Sequence, residues 1–314
     1  MKDKKGLTLL ELLIVIGIIA VLGGVMLTQF SGSTDSALAA ACMNNMRTLC
    51  NAVLADASKE GYYPSAGSYQ YLEENSTARS WWHGWIGGDK GDNPVSCYHA
   101  DGGDGCDDDQ QYAITHGSIW KAITGQRSAY ICPAHTKYCK QNSKKVGGVV
   151  PSWSYAMNSY FGWNLRTAAD ITAGRRSYGS GSLTFMYSTN PKERKRPVER
   201  VLLFGEIPYV ETGVQTPEWS AGAGEENDSI LQYTPSGDEN QKANKGATGN
   251  GEIIGFNHKT GNDYSAHVAF ADGHCSKIVM PRGATEDNLK ELTTWLCTGA
   301  EYTLSGGKFE VVSE

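Results

Sequence analysis

Hydrophobic and polar positions divide the chain into one short apolar run and a long polar remainder. From Leu7 to Phe30 every residue is apolar or glycine except Thr8, Glu11, Thr28 and Gln29. At 1.5 Å per residue, such a run spans a bilayer core of about 30 Å as one helix. The pattern then changes. Leu38, Cys42, Met46, Leu49, Val53 and Ala57 recur at steps of three and four, the signature of an amphipathic helix with one apolar stripe. That stripe predicts packing on a folded head, with Asn44, Arg47 and Asp56 facing outward. Ser31-Gly32-Ser33 between the two halves is a place where the helix could loosen, and Gly61 and Pro64 stop it. The expectation is one helix of about 50 residues, apolar all round in its first half and striped in its second.

Beyond residue 60 the pattern is shorter and more irregular. Residues 61–126 read as loops and short elements, with Trp81, Trp82 and Trp85 around His83. These aromatics read as anchors of an irregular region, a sugar-stacking platform being the other reading. Val201 to Gly205 is an apolar run bounded by charge and glycine, which predicts a buried strand. The basic run Lys192 to Arg200 reads as an exposed loop before it, and Glu211 to Gly251 as a long surface insertion. Asn257 to Val279 contains two apolar-leaning runs around Asp272-Gly273, a hairpin signal. A two-residue turn there would place Phe270 opposite Cys275 and His267 opposite Ile278. His267 and His274 would then lie roughly 13 Å apart on one face, too far to share an ion.

Charge and cysteine content add a compartment. Lys2, Lys4 and Lys5 precede the apolar run and hold the N-terminus in the cytoplasm, which sends the head outside. The run is too long for the core of a secretory signal peptide, and the small residue Gly6 stands before it rather than after it. The formal net charge is −6, and without residues 1–6, which hold three lysines and one aspartate, it is −8. That acidity argues against general nucleic-acid binding. A mean hydropathy of −0.40 despite the apolar run makes the remainder markedly polar. Eight cysteines on the outside of a membrane favour disulfides, so Cys42, Cys50, Cys97, Cys106, Cys132, Cys139, Cys275 and Cys297 are all candidates. Cys42 and Cys50 are about 12 Å apart along a helix, beyond the ~7 Å that a disulfide spans. Each therefore needs a partner in the head.

Candidate ion sites are two. Asp101, Asp104, Asp107 and Asp109, among glycines and between Cys97 and residue 110, suit calcium, or form a solvated acidic loop pinned by a Cys97–Cys106 bond. Cys132, His135 and Cys139 supply three zinc ligands without an evident fourth, and disulfide pairing is the favoured reading of these cysteines. No other cofactor is expected. Glu11 is the anomaly of the apolar run. A charge at that depth costs on the order of 3 kcal/mol. An amine brought by a neighbouring copy to about 4 Å would be worth roughly 4 kcal/mol before desolvation.

Gly6, Leu7, Glu11 and the run Leu-Thr-Leu-Leu-Glu-Leu-Leu-Ile-Val-Ile resemble the class III signal of type IV prepilins and type II secretion pseudopilins. The resemblance implies cleavage between Gly6 and Leu7 by a prepilin peptidase, N-methylation of Leu7, and Glu11 as the assembly carboxylate. Leu7 stands where that family usually has Phe. A second resemblance joins His258 to Asp272 and Gly273: it is similar to prepilin-type proteins whose heads end in a His-spacer-Asp-Gly motif, here with a spacer of 13 residues rather than nine. HGSIW at 116–120, YICP at 130–133, SYAMN at 154–158 and VLLFGE at 201–206 also look like landmarks of that group.

Together these readings give an α+β chain: leader 1–6, transmembrane half-helix 7–30, amphipathic half-helix 31–60, and a head at 61–314 built on an antiparallel sheet. The resemblance implies a non-enzymatic subunit of a pseudopilus or pilus-like filament in protein secretion. It would sit in the inner membrane with its head outside, and meet copies of itself, other pseudopilins, the peptidase and an assembly platform. The alternative is a monomeric membrane-anchored enzyme or a sugar- or metal-binding module.

Overall fold

Leu9–Glu60 forms a single helix of 52 residues, α1, with no break at Ser31-Gly32-Ser33. One glycine costs about 1 kcal/mol relative to alanine, too little to divide a helix extended on both sides. The helix ends where Gly61 takes φ +78° and returns its N–H to Ala57 O at 2.9 Å. The computed structural model describes residues 9–61, 63, 64, 66, 70, 71, 79, 80, 98–100, 108–146, 148–158, 161, 198–215, 230, 231, 253–299, 302–305 and 308–311. Within α1, the side chains of residues 10, 11, 20–34 and 60 lie outside the description.

The predicted stripe is the buried one. Cys42, Met46, Leu49, Val53 and Ala57 are buried, Leu38 is half-buried, and Asn44 and Arg47 are exposed. Ala52 and Cys50 widen the stripe. Each large apolar side chain sealed there contributes about 1.5–3 kcal/mol.

The stripe packs on a sheet. In chain order the short strands β1 (Gln70–Tyr71), β2 (Arg79–Ser80) and β3 (Tyr98–Ala100) lead to helix α2 (Asp108–His116). A 3-10 turn, Arg127–Tyr130, precedes helix α3 (Pro133–Gln141), followed by β4 (Val149–Pro151), β5 (Tyr155–Asn158), β6 (Leu202–Glu206) and β7 (Ile230–Leu231). Then come β8 (His258–Thr260), β9 (Asp263–Phe270), β10 (Cys275–Val279), helix α4 (Glu286–Thr298), β11 (Tyr302–Ser305) and β12 (Lys308–Val311). The main sheet runs β10-β9-β6-β5-β7, antiparallel except for the parallel pair β5–β7. The insertion at 211–251 therefore supplies a strand to the sheet edge. α1 lies against β9, β8, β6 and β10 and against the 3-10 turn and α3.

Two arrangements position the site described below. First, β10 holds one edge of β9, so β6 and β8 share the opposite edge end to end. Gly205 pairs with Val268 and His258 with Ser265, which leaves Glu206 and His258 facing each other across His267. Second, Asn45, one turn after Cys42 on α1, donates to Ser128 O at 3.0 Å and Ile131 O at 2.9 Å. This fixes the backbone immediately before Cys132 against the helix.

The hairpin corrects the expected register by one residue. Cys275 pairs with Ala269 and Lys277 with His267, not Cys275 with Phe270 and His267 with Ile278. The reason is the turn. Gly273, at φ +99°, donates its N–H to Phe270 O, and Phe270 N–H reaches His274 O, so three residues, Ala271 to Gly273, rather than two bridge the strands. A Cβ on Gly273 would also stand 2.9 Å from Leu54 Cδ1, because the turn seats on α1.

Candidate functional site

Four side chains from four distant segments converge beneath α1. Cys42 comes from the buried stripe, Cys132 from the residue that caps α3, Glu206 from the end of β6, and His258 from the start of β8. All four are buried, and one sulfur, nitrogen or oxygen atom from each lies within 4.8 Å of the others. Cys42 Sγ donates to Glu206 Oε1 at 2.6 Å, and His258 Nε2 meets the same oxygen at 2.8 Å. His267 adds Nδ1 at 3.2 Å to Oε1 and its backbone N–H at 3.4 Å to Oε2. The His258 and His267 rings lie 4.2 Å apart, on one carboxylate.

A tyrosine hydroxyl lies beside each sulfur. Tyr155 Oη lies 3.2 Å from Cys42 Sγ and donates to Cys42 O at 3.2 Å. Tyr209 Oη is 3.8 Å from Cys132 Sγ. Both tyrosines are buried. Cys132 N–H donates to Ser154 Oγ at 2.9 Å, and the same oxygen meets His135 Nδ1 at 2.9 Å.

Burial and partners compete at each titratable group. Burial alone would push Glu206 up, but His258 and His267 hold its carboxyl well below the usual carboxylate range. Burial would push His258 down, but Glu206 and Cys132 raise it to about 10. Burial likewise raises Cys132, yet Cys42 and His258 bring that thiol down to about 6. Cys42 itself is driven well up, by burial first and by its neighbours Cys132 and Glu206. Two sulfurs, an imidazole and a carboxylate can hold a cation, and the same two sulfurs are the pair that oxidation would join.

The expected disulfides do not form among the described residues: none of Cys42, Cys50, Cys132, Cys139, Cys275 and Cys297 is joined to another. Cys42 is engaged by Glu206 and Tyr155, and Cys50 by Phe270 O at 3.5 Å. Cys97 and Cys106 lie outside the described residues, as do Asp101, Asp104 and Asp107. Asp109 falls in the first turn of α2, with its side chain outside the description. Trp81, Trp82, His83 and Trp85 are likewise not described.

The Cys132-His135-Cys139 grouping is not assembled. His135 turns away to Ser154 and stacks on Tyr209 at 4.1 Å, while Cys139 is buried one turn further along α3. Cys132 instead joins Cys42, Glu206 and His258, the ligand group found among the described residues. Of the hairpin motif, His258 is in this cluster, whereas Asp272 caps the distal turn, accepting from His274 N–H at 3.1 Å with His274 Nδ1 at 2.7 Å. His267 meets Glu206 and His274 meets Asp272. The sequence reading passed over Glu206, although a carboxylate closing a buried apolar strand was the available signal.

Gly6 and Leu7 lie outside the described residues, and Glu11 is described only as helical backbone. Around it, Leu9, Leu12, Leu13, Ile14, Val15, Ile16, Ile18 and Ile19 are 47–80% exposed. Among the described residues no helix is long and apolar enough to cross a membrane; the side chains of residues 20–34 fall outside them.

Residues 1–27 match the family model described as the prokaryotic N-terminal methylation motif. The chain thus carries the signal of prepilin-type proteins. The match does not extend to the His258, Asp272 and Gly273 motif. No curated protein and no solved structure matches the chain.

Proposed function

We propose that the chain is a structural, non-enzymatic subunit that is cut after Gly6, N-methylated on Leu7 and built into a pseudopilus or pilus-like filament serving secretion. The observation that carries this reading is the placement of the methylation motif on the same unbroken helix that enters the head. The motif half presents outward-facing apolar side chains, while the other half is sealed into the sheet. Before assembly the first half occupies the inner membrane with the head outside. On assembly it moves into a filament core made of equivalent halves from other copies and other pseudopilins. A head-to-tail contact of this kind does not close, so it propagates as a helix.

Glu11 sets the register by pairing with the terminal amine of a neighbour, which explains a carboxylate in an otherwise apolar run. Prepilin peptidase and an inner-membrane platform are the further partners, and nucleic acid is not one. The test is Glu11→Ala. The variant is expected to insert and be cleaved at the wild-type level but to be missing from sheared filaments. Incorporation at the wild-type level would overturn the assignment of Glu11 and, with it, the assembly mechanism.

A further inference from the structure

We propose that Cys42, Cys132, Glu206 and His258 bind one zinc ion that fastens the N-terminal helix to the head. This stands independently of filament assembly, because all four residues belong to one chain.

The donor set is the first argument. Two sulfurs, one imidazole nitrogen and one carboxylate oxygen are the ligand types of a closed, four-coordinate zinc site, and mixed sulfur and nitrogen donors select zinc over calcium or magnesium. Distance is the second. Zinc–sulfur bonds of about 2.3 Å and zinc–nitrogen or –oxygen bonds of about 2.0–2.1 Å place the corners of a tetrahedron roughly 3.3–3.8 Å apart. The four atoms already lie within 4.8 Å of one another, with the closest pairs at 2.6 and 2.8 Å. Small side-chain movements therefore open the space that an ion needs.

The surroundings are the third and independent argument. A bound thiolate can only accept hydrogen bonds, and each sulfur has a buried tyrosine hydroxyl beside it: Tyr209 at Cys132, and at Cys42 Tyr155, whose proton would turn from Cys42 O to the thiolate. The carboxylate is also held by His267, whose ring meets Oε1 and whose backbone N–H donates to Oε2. Such outer partners orient ligands and strengthen metal binding. The backbone supports are equally specific: Asn45 on α1 holds the two carbonyls flanking the approach to Cys132, and Ser154 accepts the Cys132 N–H.

One ligand lies on α1 and three on the head, so metal binding would couple helix docking to head folding.

The test measures metal in the full chain, isolated from membranes in detergent without chelator or reductant. Plasma mass spectrometry is expected to find about one zinc per chain. Cys42→Ser and His258→Gln should each lower that content at least tenfold, and Cys275→Ser, outside the cluster, should retain it. Because ligand variants can misfold, Tyr155→Phe provides a second measurement: all four ligands remain, and chelator competition should show zinc affinity weakened about 10–100-fold. Wild-type protein that neither carries nor takes up zinc would overturn the proposal. So would peptide mapping that finds Cys42 joined to Cys132 in most molecules, or full zinc retention in Cys42→Ser.

Discussion

Ile16 and Met46 are both large apolar residues on one helix, yet Ile16 is 56% exposed and Met46 is sealed completely. The two halves of α1 share a backbone and differ in pattern. In the second half the apolar residues fall at steps of three and four, so one face is enough to bury them, and the sheet of the same chain supplies the cover. In the first half they fall on every side of the helix, and one face of one head cannot cover them. The difference teaches that the second half is specified by its own fold, whereas the described apolar side chains of the first half find no cover among the described residues of the chain.

Variants can break this comparison. The largest effect is expected from Leu49→Ala, which removes a fully buried side chain from the stripe and should lower head stability by about 2–5 kcal/mol in denaturant melts. Ile16→Ala, at the other end of the same helix, should leave the melting of the head unchanged. Comparable losses from both would show that the halves are not separate in role.

Acid sharpens the picture at the junction of α3 with the sheet. Burial drives His135 down to about 3 from an ordinary value of 6.5, so in the folded state the ring stays neutral. The unfolded chain binds its proton first as pH falls. The contribution of His135 is therefore fully present above about pH 6.5 and is lost progressively down to about pH 3, at up to about 1.4 kcal/mol per pH unit. His135→Gln should flatten that slope relative to wild type, and an unchanged slope would contradict the burial argument. The smallest effect is expected at Lys137, whose ammonium meets Asp35 of α1 at 2.8 Å with both side chains solvated. Lys137→Ala should cost less than about 1 kcal/mol, and less still in high salt.

Much of the fold was legible because local pattern reports it. The stripe from Cys42 to Ala57, the stop at Gly61 and the buried strand expected at Val201 to Gly205, observed as Leu202–Glu206, each follow from spacing and residue type. The Asp272-Gly273 turn was legible in position but not in register, since a glycine at φ +99° adds a bulge that composition does not announce. The buried cluster was not legible. Cys42 and Glu206 are 164 residues apart, and periodicity states that Cys42 faces inward without naming what it faces. His258 was visible as part of a motif, but its partner Glu206 is set by β6 and β8 sharing one edge of β9, a fact of topology. The cysteines illustrate the same limit: compartment argues for disulfides, whereas the geometry around Cys42 and Cys132 places a carboxylate and an imidazole beside the sulfurs.

The central claim is that the first half of α1 is a processed, exported anchor. Its most direct test is intact mass spectrometry with N-terminal peptide mapping on protein isolated from membranes. A mature chain beginning at methylated Leu7 is the expected result. Recovery of only the full-length form, with Met1 to Gly6 still attached, would contradict it.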